Sequence, residues 1–324
     1  MKKLKGAFFC NSESYFNMVF PPEKQEEIRL IAEMYPERIT AQNMDSHDLS
    51  EVEVIFSTWG FFAPTDQQLD AMKNLKAVFY AAGAVDGFAR PFFKHNIRIF
   101  SAWKANGVPV AEMAYAQILL SMKNYFAFAR SVREPSKWQR SLYPCSGAYG
   151  ETVALIGSGT ISTMVKEFLG RHDLKVLTVA TNPEDRTVSL EEAFRTAYVI
   201  SNHLPNLECN QKVITEEMFA SMRQGATFIN TGRGAQIDEE GLCRVLQKRP
   251  DLSVLLDVTH PAEPPVADSP LYRLPNVFLS PHIAGSWNNE VYRMTDYMIS
   301  DYKRYANGEE PLNEFTESML PPLP

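Results

Sequence analysis

The chain of 324 residues lacks the features that would mark a membrane protein or a nucleic-acid-binding protein. No apolar run approaches the roughly 20 residues that are needed to span a bilayer. Acidic residues outnumber basic ones by 39 to 32, and lysine and arginine form no dense stripe. The start at Met1 has no small-residue cleavage site of the kind that ends a signal peptide. We therefore expect a cytoplasmic protein that binds a small molecule.

Cysteine is also scarce, and its spacing excludes two classes of site. Four cysteines occur, far apart, without the paired spacing of a zinc site or a disulfide framework: Cys10, Cys145, Cys209 and Cys243. We expect free thiols and no bound metal. The hydrophobic fraction of 45% is that of an ordinary globular protein, and the length favours two domains.

From Gly150 onward, short β-rich runs alternate with helical patterns. The strand-like runs cover residues 152–156, 174–180, 198–201, 226–230, 253–257 and 277–280. After the first of them, apolar residues recur at helical spacing from Ile161 to Leu169, and Gly170 follows where a helix should end. This alternation predicts a six-stranded, parallel, doubly wound α/β sheet.

The first hundred residues contain a second series of strand-like runs, at residues 7–9, 54–57, 77–81 and 97–101. They predict a smaller α/β domain. Residues 109–130 predict one long helix that is apolar on nearly every face, and hence buried between domains or subunits. Apolar residues between 291 and 305 predict a final helix that packs back on the first domain.

The strand at 152–156 runs into Gly157-Ser-Gly-Thr-Ile-Ser162, which has the position of a dinucleotide-binding turn. Glycines there let the backbone approach a pyrophosphate at a helix N-terminus. Two residues depart from the pattern: Ser162 replaces the third glycine, and Ala180 replaces the acidic residue that normally binds the adenosine ribose. No arginine stands immediately beside Ala180 to bind a 2′-phosphate, so we favour NAD. Because Arg186 could still reach such a phosphate, NADP stays open.

Three charged or titratable residues follow successive predicted strands. Arg233 lies between glycines after strand 226–230, and Glu263 and His282 follow the next two strands. Parallel strands present their carboxyl ends at one sheet edge, so we expect these side chains to line that edge. The structural alternatives are an ion pair for Arg233, a surface loop for Glu263 and a packing role for His282.

These motifs together resemble the D-isomer-specific 2-hydroxyacid dehydrogenases, the family that contains glycerate, phosphoglycerate and formate dehydrogenases. The resemblance is strong from about residue 54 to residue 286 and weaker over the first fifty residues. It is carried, besides the Gly157 turn, by Tyr80-Ala-Ala-Gly-Ala-Val-Asp-Gly, Ala105-Asn-Gly-Val-Pro-Val-Ala-Glu, Asn230-Thr-Gly-Arg-Gly-Ala-Gln-Ile-Asp-Glu and Leu274-Pro-Asn-Val-Phe-Leu-Ser-Pro-His-Ile-Ala-Gly. It implies a Rossmann-type cofactor domain, residues 105–287, inserted into a flavodoxin-like substrate domain made of residues 1–104 and 288–324.

The same resemblance implies roles at the substrate. Arg233 would bind the substrate carboxylate by charge-assisted hydrogen bonds and polarise the neighbouring carbonyl group. His282 would exchange a proton with the substrate oxygen, and Glu263 would hold the imidazole in one orientation. One residue more than usual lies between Asp257 and Glu263. Backbone N–H groups of Gly83 and Ala84 would help to bind the carboxylate.

The resemblance also implies a cofactor site and a dimer. Asp257 would hydrogen-bond the nicotinamide carboxamide, and the helix that contains residues 112–125 would form a homodimer interface. The full set of implied cofactor-binding residues is Gly157, Ser158, Gly159, Thr160, Ile161, Thr181, Asn182, His203, Pro205, Thr231, Gly232 and Asp257.

The substrate class is less constrained by the sequence. A phosphorylated substrate needs several cations, and the main basic residue expected near the cleft is Lys104. Trp59, Phe61 and Trp287 are interpreted either as an apolar wall for a larger 2-oxo acid or as packing residues. A dehydrogenase of small 2-oxo and 2-hydroxy acids is the first hypothesis. A corepressor-like protein that senses nicotinamide cofactors without turnover is the alternative, since fold alone does not decide function.

Overall fold

A computed structural model describes residues 2–139 and 145–320, and the chain divides into two compact units. The first unit consists of Met1–Gly107 and Ser286–Pro324, and the second of Val108–Gly285. The second unit is thus inserted into the sequence of the first. Over the described ranges, no helix combines the length and the apolar character that crossing a bilayer demands.

The first unit is built on a six-stranded sheet with the order β12-β5-β4-β3-β1-β2. Its strands are β1 (Lys5–Phe9), β2 (Glu33–Met34), β3 (Val54–Ser57), β4 (Ala77–Tyr80), β5 (Arg98–Ser101) and β12 (Glu314–Phe315). All neighbours are parallel except β12, which pairs antiparallel with β5. The order of β1 to β5 is that of flavodoxin-like sheets. The edge strands β2 and β12 were not predicted, because two residues carry no periodicity.

Helices cover both faces of this sheet. They are α1 (Glu13–Val19), α2 (Pro22–Ile31), α3 (Asp66–Ala71), α4 (Ala89–Lys94) and α11 (Val291–Ala306). Helix α11 buries Met294, Met298 and Tyr302 completely, in one apolar cluster with Phe56 and Phe79. Each such side chain contributes roughly 1.5–3 kcal/mol on burial. The predicted docking of the final helix on the first sheet is confirmed.

The second unit contains the second sheet, with the order β11-β10-β9-β8-β6-β7. Its strands are β6 (Thr152–Ile156), β7 (Lys175–Val179), β8 (Val199–Asn202), β9 (Thr227–Asn230), β10 (Ser253–Leu256) and β11 (Val277–Leu279), and all neighbours are parallel. The predicted fold class, two parallel-sheet α/β domains with one inserted in the other, is confirmed. The strand order reverses between β6 and β8, and ligands bind at the carboxyl ends beside such a reversal.

Both faces of the second sheet are covered. Ala154 and Ile156 pack in one apolar cluster, whereas Val153 and Leu155 pack in another, as the alternation of side chains along a strand requires. The helices that pack in these layers are α5 (Trp103–Met122), α7 (Thr160–Leu169), α8 (Leu190–Thr196), α9 (Glu216–Ser221) and α10 (Glu239–Lys248).

The prediction of a single helix over residues 109–130 was wrong. The structure has α5 (Trp103–Met122) and α6 (Tyr125–Ser131), separated at Asn124. Asn124 has a φ of +49°, a left-handed conformation that ends the first helix and that asparagine tolerates better than most residues. One face of α5 is buried, whereas Leu120 of α5 and Tyr125 of α6 are exposed. The helices are therefore apolar on more faces than the chain itself buries.

Candidate active site

The turn after β6 has a steric reason for its first glycine. Gly157 has a φ of +104°, and a Cβ atom on it would lie 2.8 Å from the carbonyl oxygen of His203. A Cβ atom on Gly159 would meet nothing within 4 Å, and no side chain caps the N-terminus of α7. The first backbone N–H groups of that helix are therefore open to an anion. The next residues, Ser158 and Thr160, are exposed.

Ser162 fits the place of the third glycine. Its side chain is buried, and its hydroxyl group donates a hydrogen bond of 2.7 Å to the carbonyl oxygen of Gly157. The polar atom is thus satisfied inside the turn. This departure from the dinucleotide pattern therefore leaves the turn intact.

The second departure, Ala180, lies directly after β7 and beside a cation. Arg186 donates from Nε to the carbonyl oxygen of Ala180 at 2.7 Å and from Nη2 to that of Thr181 at 3.0 Å. The adjacent Asn182 side chain is exposed and donates to Asp185 at 3.2 Å. A guanidinium group is thus anchored at the strand end where an acidic residue would exclude a 2′-phosphate.

The ends of β8 and β9 carry polar atoms without partners. Both ring nitrogens of His203 are buried and unpartnered among the residues described, although the residue as a whole is only partly buried. Burial lowers the pKa of His203 to about 4, so the ring is neutral near pH 7. The hydroxyl group of Thr231 is likewise buried and unpartnered within those ranges. Buried polar atoms of this kind are normally hydrogen-bonded, and their positions fit contacts to a bound dinucleotide.

Arg233 follows β9 in a turn that touches the loop after β10. Its Nη1 donates to the carbonyl oxygen of Gly232 at 2.8 Å, and no ion pair holds its guanidinium group within residues 2–139 and 145–320. A Cβ atom on Gly234 would lie 2.2 Å from the carbonyl group of Thr259. Only glycine allows this close approach of two backbones. The structural alternative for Arg233, an ion pair, is absent from the described residues.

Glu263 and His282 come together at the same sheet edge. Glu263 Oε2 lies 2.7 Å from His282 Nδ1, and Glu263 Oε1 accepts from the backbone N–H of Thr259 at 3.3 Å. The side chains remain 38% and 51% exposed, respectively. The pair is therefore positioned by the protein and accessible from outside the unit.

Asp257 holds the turn that carries His282. Its side chain is buried, and its carboxylate accepts from Ser280 Oγ at 2.5 Å, from Ile283 N at 2.9 Å and from Ala284 N at 2.8 Å. Its carbonyl oxygen accepts from the N–H of His282 at 3.0 Å. His282 has a φ of +54°, and these bonds fix that left-handed backbone. Sequence analysis missed this positioning role, because the partners belong to another strand end.

Gly83 and Ala84 belong to the first unit and follow β4. Gly83 is buried and its carbonyl oxygen accepts from Ser101 Oγ at 2.7 Å, whereas Ala84 is exposed. A Cβ atom on Gly83 would lie 3.2 Å from Asn106 Nδ2. Both residues therefore lie at the carboxyl edge of the first sheet, the edge where α/β sheets bind ligands.

Comparison with known proteins supports this interpretation of the second unit. Residues 115–284 match the family model described as "D-isomer specific 2-hydroxyacid dehydrogenase, NAD binding domain". The chain is 32% identical over 232 residues to D-3-phosphoglycerate dehydrogenase 2 of Arabidopsis thaliana. The aligned region covers 68% of this chain but only 37% of the plant protein. It is 27% identical over 277 residues to a hydroxypyruvate reductase of Thermotoga maritima, covering 82% of this chain and 90% of that one.

A solved structure shows the same fold. The D-lactate dehydrogenase of Lactobacillus jensenii, determined with NAD⁺, is similar over 97% of this chain and 100% of its own, with a TM-score of 0.76 and 21% identity. The family match spans just over half of the chain and contains Arg233, Glu263 and His282. The chain belongs to the D-isomer specific 2-hydroxyacid dehydrogenase family and contains the family's NAD-binding domain.

Proposed function

We propose that this protein is an NAD(P)-dependent D-2-hydroxyacid dehydrogenase that works mainly as a reductase of small 2-oxo acids. The observation that carries the proposal is the 2.7 Å contact between Glu263 Oε2 and His282 Nδ1 at the sheet edge to which Arg233 also belongs. A carboxylate at Nδ1 fixes the orientation of the ring and leaves Nε2 to give or take a proton.

Each residue then has one task in the reaction. A bound nicotinamide cofactor supplies or accepts the hydride. Arg233 presents a planar cation that suits the carboxylate of a 2-oxo acid and stabilises negative charge on the neighbouring oxygen. His282 donates a proton to that oxygen in reduction and removes it in oxidation, while Glu263 stabilises the protonated ring. Gly83 and Ala84 are proposed as further carboxylate ligands in the first unit.

For the cofactor, we propose NAD with NADP as a permitted alternative. Two features support a dinucleotide at this edge. They are the Gly157 turn with the open space beside Gly159, and the polar atoms of His203 and Thr231 that lack partners among the described residues. Ala180 offers no carboxylate for the ribose hydroxyl groups, and Arg186 stands beside it. The remaining proposed contacts are Ser158, Thr160, Ile161, Thr181, Asn182, Pro205, Gly232 and Asp257.

The substrate is proposed to be unphosphorylated. The ammonium group of Lys104 donates to the carbonyl oxygen of Leu312 at 3.1 Å and lies over the ring of Trp103, which favours a structural role. Phe61 is partly buried and packs edge-on against Phe88 of the first unit's core, with ring centroids 4.7 Å apart. Of the predicted apolar wall, this leaves Trp59, whose ring centroid lies 6.1 Å from that of the exposed Tyr15, and Trp287, which is exposed.

The alternative of a cofactor-sensing protein without turnover is not favoured. Its support came from Ser162 and Ala180, and Ser162 is accommodated by its bond to Gly157. Steady-state oxidation of a reduced nicotinamide cofactor by 2-oxo acids tests the two functions directly, because only the dehydrogenase consumes the cofactor.

Two further expectations stay predictions. A homodimer through the α5–α6 region is supported by the exposed Leu120 and Tyr125, since exposed apolar residues in one region mark interaction surfaces. Light scattering after size-exclusion chromatography measures the mass, and a monomer would refute the dimer. The cytoplasmic location, too, stays a prediction.

A further inference from the structure

Three buried amide side chains form one network at the carboxyl ends of β8 and β9. Asn202 and Asn230 are 0% exposed and Gln236 is 2% exposed. Asn202 Nδ2 donates to Asn230 Oδ1 at 3.0 Å and to Gln236 Oε1 at 2.7 Å. Both hydrogens of this amide are therefore used inside the network.

The network binds the backbone on two sides. On one side, Gln236 Nε2 donates to the carbonyl oxygens of Leu204 at 2.9 Å and Pro205 at 2.8 Å, and Asn202 Oδ1 accepts from Leu204 N at 3.2 Å. These residues directly follow His203, whose ring nitrogens have no partner in the described part of the chain. The first side is thus the loop after β8, residues 203–205.

On the other side, the network holds the turn that carries Arg233. Gln236 Oε1 accepts from Arg233 N at 3.2 Å, and Asn230 Nδ2 donates to the carbonyl oxygen of Arg233 at 3.2 Å. Asn230 Oδ1 accepts from Gly232 N at 3.0 Å. Both backbone polar groups of Arg233 are therefore bound by side chains of the network.

Gln236 is the only member of this triad that bonds directly to both segments. Its Oε1 accepts two hydrogen bonds and its Nε2 donates two, so both polar atoms of the side chain have their full set of partners. A fully satisfied buried network of this kind is rigid and specifies one arrangement. An apolar side chain of similar length would fill the same volume but would leave the carbonyl group of Leu204 and two N–H groups, of Arg233 and the Asn202 amide, without these partners. The carbonyl oxygen of Pro205 would lose one of three donors and keep Leu207 N and Asn210 Nδ2.

We propose that Gln236 is a positioning residue that couples the loop after β8 to the Arg233 turn. The placement of the proposed cofactor contacts His203 and Pro205 and the placement of the Arg233 cation are then set by one side chain. This inference rests on the proposed function for its catalytic meaning, but the coupling itself is a property of the protein without ligands.

Hydrogen–deuterium exchange of the ligand-free protein tests the coupling. Gln236→Met is expected to speed amide exchange both in residues 202–206 and in residues 230–237. Gln236→Glu keeps an acceptor for Arg233 N but cannot donate to two carbonyl groups, so it is expected to speed exchange in residues 202–206 alone. If Gln236→Met does not fold, the exchange rates of Gln236→Glu alone test the coupling.

Asn276→Leu is the matched control. Asn276 is also a buried amide of the second unit, and it donates to the carbonyl oxygens of Leu246 and Arg249, but it precedes β11 at the opposite sheet edge. This variant is expected to lose stability while both segments keep their exchange rates. Two results would contradict the coupling. One is faster exchange of Gln236→Met in residues 230–237 only, and the other is unchanged exchange of Gln236→Glu in residues 202–206.

Kinetics and cofactor binding test the consequence for function. In Gln236→Met, we expect kcat/KM for a 2-oxo acid to fall on the order of 10- to 100-fold, with a higher KM, because small misplacements of binding groups are costly. NADH affinity, measured by fluorescence, should also weaken, whereas Asn276→Leu should change neither. An absence of turnover in the unsubstituted protein would refute the proposed function and leave the exchange result as the test of the coupling.

Discussion

Glu263 Oε2 and His282 Nδ1 lie 2.7 Å apart although nineteen positions separate the two residues in the sequence. They are brought together by parallel strands β10 and β11, whose ends lie at one edge, and by Asp257, which binds the turn around His282. A carboxylate at Nδ1 fixes the orientation of the ring, and the proposed role of His282 in proton transfer rests on this contact.

If His282 is the proton donor, His282→Asn should lower kcat by about 10²-fold or more, because general acid–base catalysis contributes that much. The affinity for NADH should stay nearly unchanged. His260→Asn is the control, since His260 is an exposed histidine of the neighbouring loop. Steady-state kinetics and NADH fluorescence give both quantities, and an unchanged kcat would remove His282 from the mechanism.

Arg233→Lys should raise the KM for a 2-oxo acid and lower kcat, because an ammonium group keeps the charge but loses the planar two-donor contact to a carboxylate. Arg244→Lys is the control, since Arg244 pairs with Glu216 on the surface. Kinetics at saturating NADH measure the effect. Equal, small changes in both variants would contradict a substrate contact of Arg233.

The strand end at Ala180 should govern cofactor choice. Ala180→Asp is expected to weaken NADPH binding much more than NADH binding, because a carboxylate there repels a 2′-phosphate and accepts from ribose hydroxyl groups. Arg186→Gln should weaken NADPH binding alone. Fluorescence titration with each reduced cofactor tests this, and an equal loss with both cofactors in Ala180→Asp would mean that the adenosine ribose binds elsewhere.

Burial of His203 should make the ligand-free protein less stable as the pH falls. Its pKa is lowered from 6.5 to about 4, so the unfolded chain takes up a proton below pH 6.5 that the folded chain does not. The stability present above pH 6.5 is thus lost as the pH falls toward 4, by about 2 kcal/mol between pH 7 and pH 5. The free energy of unfolding can be measured with urea at pH 7 and at pH 5. In His203→Leu it should fall by about 2 kcal/mol less than in the unsubstituted protein, whereas in His260→Leu it should fall by the same amount.

Much of the architecture follows from the sequence because parallel strands buried on both faces are nearly continuous apolar runs. Strands β3 and β6 begin and end at the predicted residues, and Gly157 marks a turn that only glycine can make. The break at Asn124 was missed because the apolar pattern continues across it.

Within the candidate site, residues that are proposed to act through the chemistry of their own side chain could be predicted from the sequence, but supporting residues could not. Asp257 and Gln236 act through hydrogen bonds to strand ends or loops that are distant in the sequence. No spacing rule places such partners, because they depend on which strands become neighbours. That information comes from the strand order β8-β9-β10-β11 of the second sheet.

The most direct test of the account is the oxidation of NADH, and separately of NADPH, by the purified protein with a pool of glyoxylate, hydroxypyruvate, pyruvate and aromatic or branched 2-oxo acids. We predict turnover that requires a 2-oxo acid and that His282→Asn abolishes or reduces about 10²-fold or more. Binding of a reduced cofactor without turnover by any member of the pool would contradict the proposed dehydrogenase activity toward these acids.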